Sequence, residues 1–236
     1  MADTEFETIL ATNEYGFYCI PAAYRKREVP QVLARGEVYE ANTLRFMRRL
    51  CAQVDGDIIS GGAFIGDFFP ALSTSLSKKQ KIITFEPNPV SHAACTETLS
   101  LNGLKNVELH EVAVGETAGK LPLRVTTGSG ETMGARARIT GNHVEGKTIE
   151  VDVTTLDALL DAKRKVSVVQ LDLEGFEWPA LSGGKDMLLR DKPVIILEAE
   201  KEWVKRDYMR NINELFGDGA YACMGRVDRN VIFRPV

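Results

Sequence analysis

The chain is 236 residues long, 44% hydrophobic and 26% charged, which suits one globular domain with a sizeable core and argues against broad disorder. A net charge of −4 and a pI near 5.6 speak against a duplex nucleic-acid surface, where a basic stripe is expected. Four scattered cysteines with no CxxC or Cys/His spacing speak against a zinc cluster or a disulfide framework, and no apolar run has the length of a membrane span or the form of a signal peptide, so a cytoplasmic location is expected.

Along the chain, GFYCIP (16–21) reads as a strand, RGEVYE (35–40) as a turn and TLRFMRRLCAQV (43–54) as an amphipathic helix. Strands and helices then alternate. DIIS (57–60) is a strand and 66–76 a helix, with Pro70 tolerated in its first turn. KIITFE (81–86) is a strand, 89–102 a helix ending near Asn102-Gly103, and NVELHEVAV (106–114) a third strand. LPLRV (121–125) and TIEVDV (148–153) are strands on either side of a glycine-rich loop, 126–142. A capped helix is predicted over 154–165, a fully buried strand over VSVVQLD (166–172) and a helix over 177–190. PVIILEAE (193–200) is a buried strand, 203–216 an amphipathic helix, and AYACM (220–224) with NVIFRP (230–235) a final hairpin. Such alternation predicts a doubly wound α/β sheet, with residues 1–56 as an N-terminal extension packing on a domain formed by 57–236.

Two segments carry the chemistry. SGGAFIGDFF (60–69) is a strand end, a glycine turn and a helix start. IITFEPNP (82–89) is the next strand, ending on Glu86. From Gly62 to Glu86 is 24 positions (86 − 62), near the roughly 20 between a ligand-cradling turn and a ribose-binding acid. The pair predicts an adenosine-containing cofactor. Glu86, Glu111, Asp172 and Glu198 all fall at predicted carboxyl ends of strands, where open α/β sheets bind ligands.

Taken together, GAFIGDF (62–68), FEPNP (85–89), LNGLKNVELHEVAVGETAG (101–119), TLD (155–157), LDLEGFEWPALSGG (171–184) and PVIILEAE (193–200) resemble the FkbM family of S-adenosylmethionine-dependent methyltransferases in order and spacing. The resemblance implies a class I methyltransferase (Rossmann-like) fold with seven core strands, the last antiparallel. It also implies methylation of an oxygen, on a sugar, polyketide or other small metabolite. The family usually has an acid two residues before the first glycine, which helps hold the cofactor's ammonium, and often Asn after Gly-Ala. Here those positions are Ser60 and Phe64. Asp67 or Glu37 is the expected substitute for the acid.

On this reading Glu86 accepts both ribose hydroxyls, and Pro87 and Asn88 edge the adenine. Glu111, Val112 and Ala113 flank the ring's other side. Gly62, Ala63 and Gly66 let the turn approach the cofactor, and Asp67 opens the following helix. Asp172 or Glu174 holds the ammonium, orients the acceptor or takes its proton, and Glu198 meets the acceptor. The loop 126–142, with Arg136 and Arg138, lines the acceptor site. The acids around 172–177 resemble a hard-cation site in composition, but no metal spacing fixes one and none is assigned. Two alternatives stay open: a nicotinamide-dependent oxidoreductase, although SGGAFIG is not a clean GxGxxG, and a noncatalytic binding module with a degenerate cofactor site.

Overall fold

A computed structural model of the chain describes residues 6–139 and 145–236. The described chain opens on a hairpin, β1 (Thr8–Asn13) and β2 (Gly16–Pro21), followed by α1 (Glu28–Ala34) and α2 (Ala41–Cys51). β1 and α1 were not anticipated. β1 is mostly exposed and carries no clear alternation, and α1 is only seven residues long. In α2, Leu44, Met47 and Cys51 recur at helical spacing and are all buried. Tyr18, Ile20, Tyr24, Val29 and Leu33 from this N-terminal part share one apolar cluster with Phe64, Ile65 and Ala94.

The alternating part follows as β3 (Asp57–Gly61), α3 (Phe69–Ser73), β4 (Ile82–Phe85), α4 (Pro89–Leu101) and β5 (Val107–His110). The helix predicted over 66–76 is shortened to α3, because Gly66 sits at φ +80°, outside the helical region. α4 begins as the sequence suggests: Asn88 caps it, its Oδ1 accepting from Val90 N at 3.2 Å, with Pro89 in the first turn.

The strand predicted over 106–114 is two strands, β5 and β6 (Ala113–Val114), which belong to different sheets. The cause lies in the neighbour. β4 ends at Phe85, so the ladder closes with Glu86 N donating to His110 O at 3.0 Å. Beyond it the chain turns away and pairs with another partner. That second sheet joins β6 with β7 (Gly119–Arg124), β8 (Arg138–Ile139) and β9 (Thr148–Thr154) in the order β6-β9-β7-β8. The predicted loop between β7 and β9 thus contains a short strand, and a 3₁₀ turn over Gly134–Arg136. Its residues 140–142 lie outside the described residues.

The helix predicted over 154–165 is a single turn, α5 (Leu156–Leu159). It stops because Leu160 is extended at ψ 141°, and Asp161 Oδ1 then takes Lys163 N in a side-chain turn that competes with the helix. β10 (Val166–Leu171) follows, buried at every residue. The helix expected over 177–190 is broken into α6 (Glu177–Ser182) and α7 (Lys185–Asp191). The break is at Gly183, where a Cβ would lie 2.0 Å from Gly115 O, so the backbones touch. β11 (Val194–Glu198), α8 (Glu202–Phe216), β12 (Tyr221–Val227) and β13 (Asn230–Pro235) complete the chain.

The main sheet has seven strands in the order β12-β13-β11-β10-β3-β4-β5. β5, β4, β3, β10 and β11 run parallel, and only β13 is reversed, pairing antiparallel with both β11 and β12. This is the class I methyltransferase arrangement, with the last strand antiparallel. β3 is the switch point: the chain leaves it for β4 on one side and returns as β10 on the other. The carboxyl ends of β3, β4, β10 and β11 therefore diverge around one crevice.

Candidate functional site

That crevice holds a cavity of about 390 Å³, at the lower end of the ~300–1,000 Å³ usual for ligand clefts. Its inner wall is the turn after β3. Gly62 has φ +83°, and a Cβ there would lie 2.1 Å from Asp172 O, so the ends of β3 and β10 meet backbone to backbone. Ala63 N donates to Phe85 O at 3.2 Å, which ties the same turn to β4. Phe64 is also left-handed, at φ +45°, which costs a side-chain-bearing residue about 1–2 kcal/mol. Two contacts offset this. Its N–H donates to Glu86 Oε2 at 2.9 Å, and its ring stacks on Tyr24 at 5.5 Å between centroids.

Glu86 is held at both oxygens. Oε1 accepts from Asn88 N at 2.9 Å, while Oε2 takes Phe64 N. The plane of the carboxylate is thus set by two backbone groups, and each oxygen keeps a lone pair. Burial pushes this carboxyl up to about 7, against the opposing pull of the two N–H groups. Asp67, on the cavity wall, is likewise pushed up to about 7 by burial, with Glu40 adding repulsion.

Native Glu86 and Asp67 therefore hold protons between their ordinary carboxylate values and about 7, where the unfolded chain has released them. Stability from these two groups is full below that window and is lost as pH rises through about 7. Urea midpoints of the ligand-free protein at pH 5 and pH 8 check this. The Glu86→Gln/Asp67→Asn variant should show a clearly flatter pH dependence than the wild type, and an equally steep one would refute the assignment.

A second group of acids stands across the turn, at the ends of β10 and β11. Asp172 and Glu198 face each other with a carboxyl oxygen of each within 4.8 Å, and both carboxyls are pushed up, first by burial and then by neighbouring acids. Two such groups in contact share a proton. Glu177 approaches them, with one oxygen of each acid lying within 4.8 Å of the others. Its own oxygens are already engaged: Oε1 accepts from Leu173 N at 2.8 Å and Gly175 N at 3.1 Å, and Oε2 from Tyr208 OH at 2.9 Å. Glu177 thus clasps the 172–175 loop rather than offering a third ligand to a cation. Glu174 is left-handed at φ +54°. Burial raises its carboxyl, while Arg136 and Arg138 pull it down.

Of the sequence-predicted residues, Ser60, Gly62, Ala63, Phe64, Asp67, Glu86, Pro87, Ala113, Asp172, Glu174 and Glu198 line the cavity together. Asn88 lies behind Glu86 as the α4 cap. Gly66 faces α4, where a Cβ would stand 3.0 Å from Cys95 Sγ. Glu111 projects half-exposed toward His92 at 4.0 Å, and Val112 packs on the main core. Ser60 Oγ donates to Gln170 Oε1 at 2.7 Å. Glu37 is paired with Arg35 at 2.8 Å and lies off the cavity wall.

Sequence reasoning missed Gln170, Glu40 and Arg229, all of which line the cavity. Gln170 carried a signal, being the large polar residue in a mostly apolar buried strand. Glu40 takes Asn230 Nδ2 at 2.8 Å from 190 positions away, a contact with no local trace. The segment between β7 and β9 covers the opening with Met133, Gly134, Arg136, Ala137, Arg138 and Ile139.

Comparison with known proteins agrees with this geometry. Residues 60–221 match the family model of the methyltransferase FkbM domain. The structure is similar to a methyltransferase FkbM from Methylobacillus flagellatus KT, with TM-score 0.53 and 17% identity over 76% of this chain and 43% of that one. The chain thus spans less than half the length of that protein. A methyltransferase from Geobacter sulfurreducens aligns with TM-score 0.47 and 13% identity, over 84% of this chain and 81% of that one. SMU.1697c from Streptococcus mutans, solved in complex with SAH, aligns with TM-score 0.47 and 12% identity, over 82% and 97%. No curated protein matches the chain. Among the described residues no helix is long and apolar enough to cross a membrane. With the family match running from the end of β3 to the start of β12, across every strand end that borders the cavity, the chain belongs to the FkbM-domain methyltransferases.

Proposed function

We propose that the cavity binds S-adenosylmethionine and that the chain methylates a hydroxyl oxygen on a sugar, polyketide or other small metabolite. One observation carries the cofactor assignment. Glu86 ends β4 with both carboxylate oxygens fixed by backbone N–H groups and its remaining lone pairs available to the cavity. A vicinal diol fits that arrangement as two charge-assisted donors. Pro87, Ala113 and Val114 give an apolar wall beyond it for an adenine ring. The Gly62 turn forms the floor between this wall and Asp172.

When bound, S-adenosylmethionine supplies an electrophilic methyl group on a sulfonium. The chain's own residues supply position and proton transfer. Ser60 is occupied by Gln170, so the cofactor's ammonium is assigned to Asp67 and Glu40, the acids lining the same wall. The Asp172–Glu198 pair takes the acceptor's hydroxyl proton, a step worth about 10²–10⁴-fold when a base is positioned for it. Glu174 orients the acceptor. Holding the acceptor oxygen in line with the methyl lowers the barrier through proximity. Residues 57–236 form the methyltransferase domain, and the extension before them completes the site through Tyr24, behind Phe64, and Glu40.

Calorimetric titration with S-adenosylmethionine, S-adenosylhomocysteine and NAD tests the assignment. Saturable binding of both sulfur compounds without NAD is the expected result. Binding of NAD alone, or of none of the three, would overturn it.

A further inference from the structure

Cations wall the outer part of the cavity from two separate elements. Arg27 stands just before α1, and Arg136 and Arg138 lie on the segment that covers the opening. The two elements touch: a Cβ on Gly134 would lie 3.4 Å from Arg27 Cγ. Among the described residues, none of these three guanidinium groups has a carboxylate within 4.0 Å. Lys26 also lines the wall, and Arg229, a fourth arginine there, differs, being held by Glu28 at 3.4 Å and Glu200 at 3.7 Å.

The strand pairing adds to the concentration of charge. Arg138 sits directly opposite Arg124 in the β7–β8 ladder. Arg124 lies off the cavity wall, its Nε donating to Thr126 O at 3.0 Å, so the facing like charge favours Arg138 turning to the cavity. All of this occurs on a chain whose net charge is −4, so the cluster does not follow from overall composition. The cavity is thereby polarised, with acids at the strand ends and, on its other wall, arginines that have no carboxylate partner among the described residues.

We infer that the methyl acceptor carries an oxyanion, a carboxylate or a phosphate, that Arg27, Arg136 and Arg138 bind while its hydroxyl reaches Asp172 and Glu198. The inference rests on the methyltransferase reading above and adds the chemical class of the acceptor. Guanidinium groups suit it because their planar fork meets two oxygens of one carboxylate or phosphate at once.

The test uses the full chain saturated with S-adenosylhomocysteine, titrated with methyl phosphate and with acetate at constant ionic strength in sodium chloride. Arginine Nε–H resonances are followed by NMR. A saturable response to either anion is expected, and the stronger arm identifies phosphate or carboxylate as the acceptor's anion. In Arg136→Gln/Arg138→Gln the response should weaken about tenfold, as loss of charge-assisted pairs gives, with S-adenosylhomocysteine affinity kept. Arg136→Lys/Arg138→Lys should retain part of the response. A response no greater than that to chloride overturns the inference. So does a drop in S-adenosylhomocysteine affinity in the Gln variant, which would place the cations on the cofactor. Failure of the wild-type protein to bind S-adenosylhomocysteine instead sinks the methyltransferase reading, and the acceptor with it.

Discussion

Glu86→Ala is expected to lower affinity for S-adenosylhomocysteine by about 10²–10³-fold, since two hydrogen bonds to a charged group contribute roughly 1.5–3 kcal/mol each and water recovers part of that. The loss has a second source. Phe64 N and Asn88 N both donate to this carboxylate, so the alanine variant frees two backbone donors beneath the ligand. Phe64 then keeps its left-handed backbone with only the Tyr24 stack to hold it. Glu86→Gln separates the two sources. It preserves shape but turns an NH₂ toward one backbone N–H, so it should fall between wild type and alanine. Calorimetry of all three proteins reads the result. A change of less than about fivefold in the alanine variant, under 1 kcal/mol, would remove Glu86 from the cofactor site.

Gly62→Ala should give the largest loss of stability among the turn variants, at least about 3 kcal/mol, or a fall in Tm of about 6–12 °C for a chain of this size. Left-handed backbone accounts for about 1–2 kcal/mol of that. The rest is contact. The new methyl would stand 2.1 Å from Asp172 O, and a backbone oxygen in a strand end cannot swing aside as a side chain can. Relief requires the ends of β3 and β10 to part, breaking the bond from Asp172 N to Gly61 O at 3.3 Å. Gly175→Ala is the matched comparison. It has φ +96° and open space around the added Cβ, so it reports backbone strain without overlap. Urea unfolding of both variants decides the matter. Equal losses at the two positions would show that the strand ends yield, and that Gly62 is required for conformation alone.

Much of the fold was legible because its signals are local. VSVVQL is mostly apolar and rich in valine, and it forms the central strand β10 with every residue buried. The helix expected from residue 89 starts there, with Asn88 as its cap. The misjudged segments depend on partners that periodicity cannot show. Residues 106–114 look like one strand, but β4 runs out at Phe85 and the second half joins another sheet. The long helix over 177–190 fails at Gly183 because Gly115, 68 positions earlier (183 − 115), presses against it.

The candidate site divides in the same way. Glu86, Gly62 and Asp172 announce themselves by lying at the ends of predicted strands. Asn88 has the right neighbours too, but its side chain caps α4. Glu40 and Arg229 gave no cue, since each reaches the cavity only through the folded return of the C-terminal hairpin.

The order of strands in the main sheet governs when this site comes into being. Ser60 and Gln170 face each other across the floor, 110 positions apart, and β11 adds Glu198 later still. A ribosome that has made the glycine turn, β4 and Glu86 has made only one side of the crevice. The opposite side arrives with β10 and β11, and β13 must then insert between β11 and β12 to finish the edge. Contacts this distant in sequence cannot form until the later strands have been made. A nascent chain shorter than about two hundred residues therefore has no complete pocket, and a ligand can stabilise only the nearly finished protein.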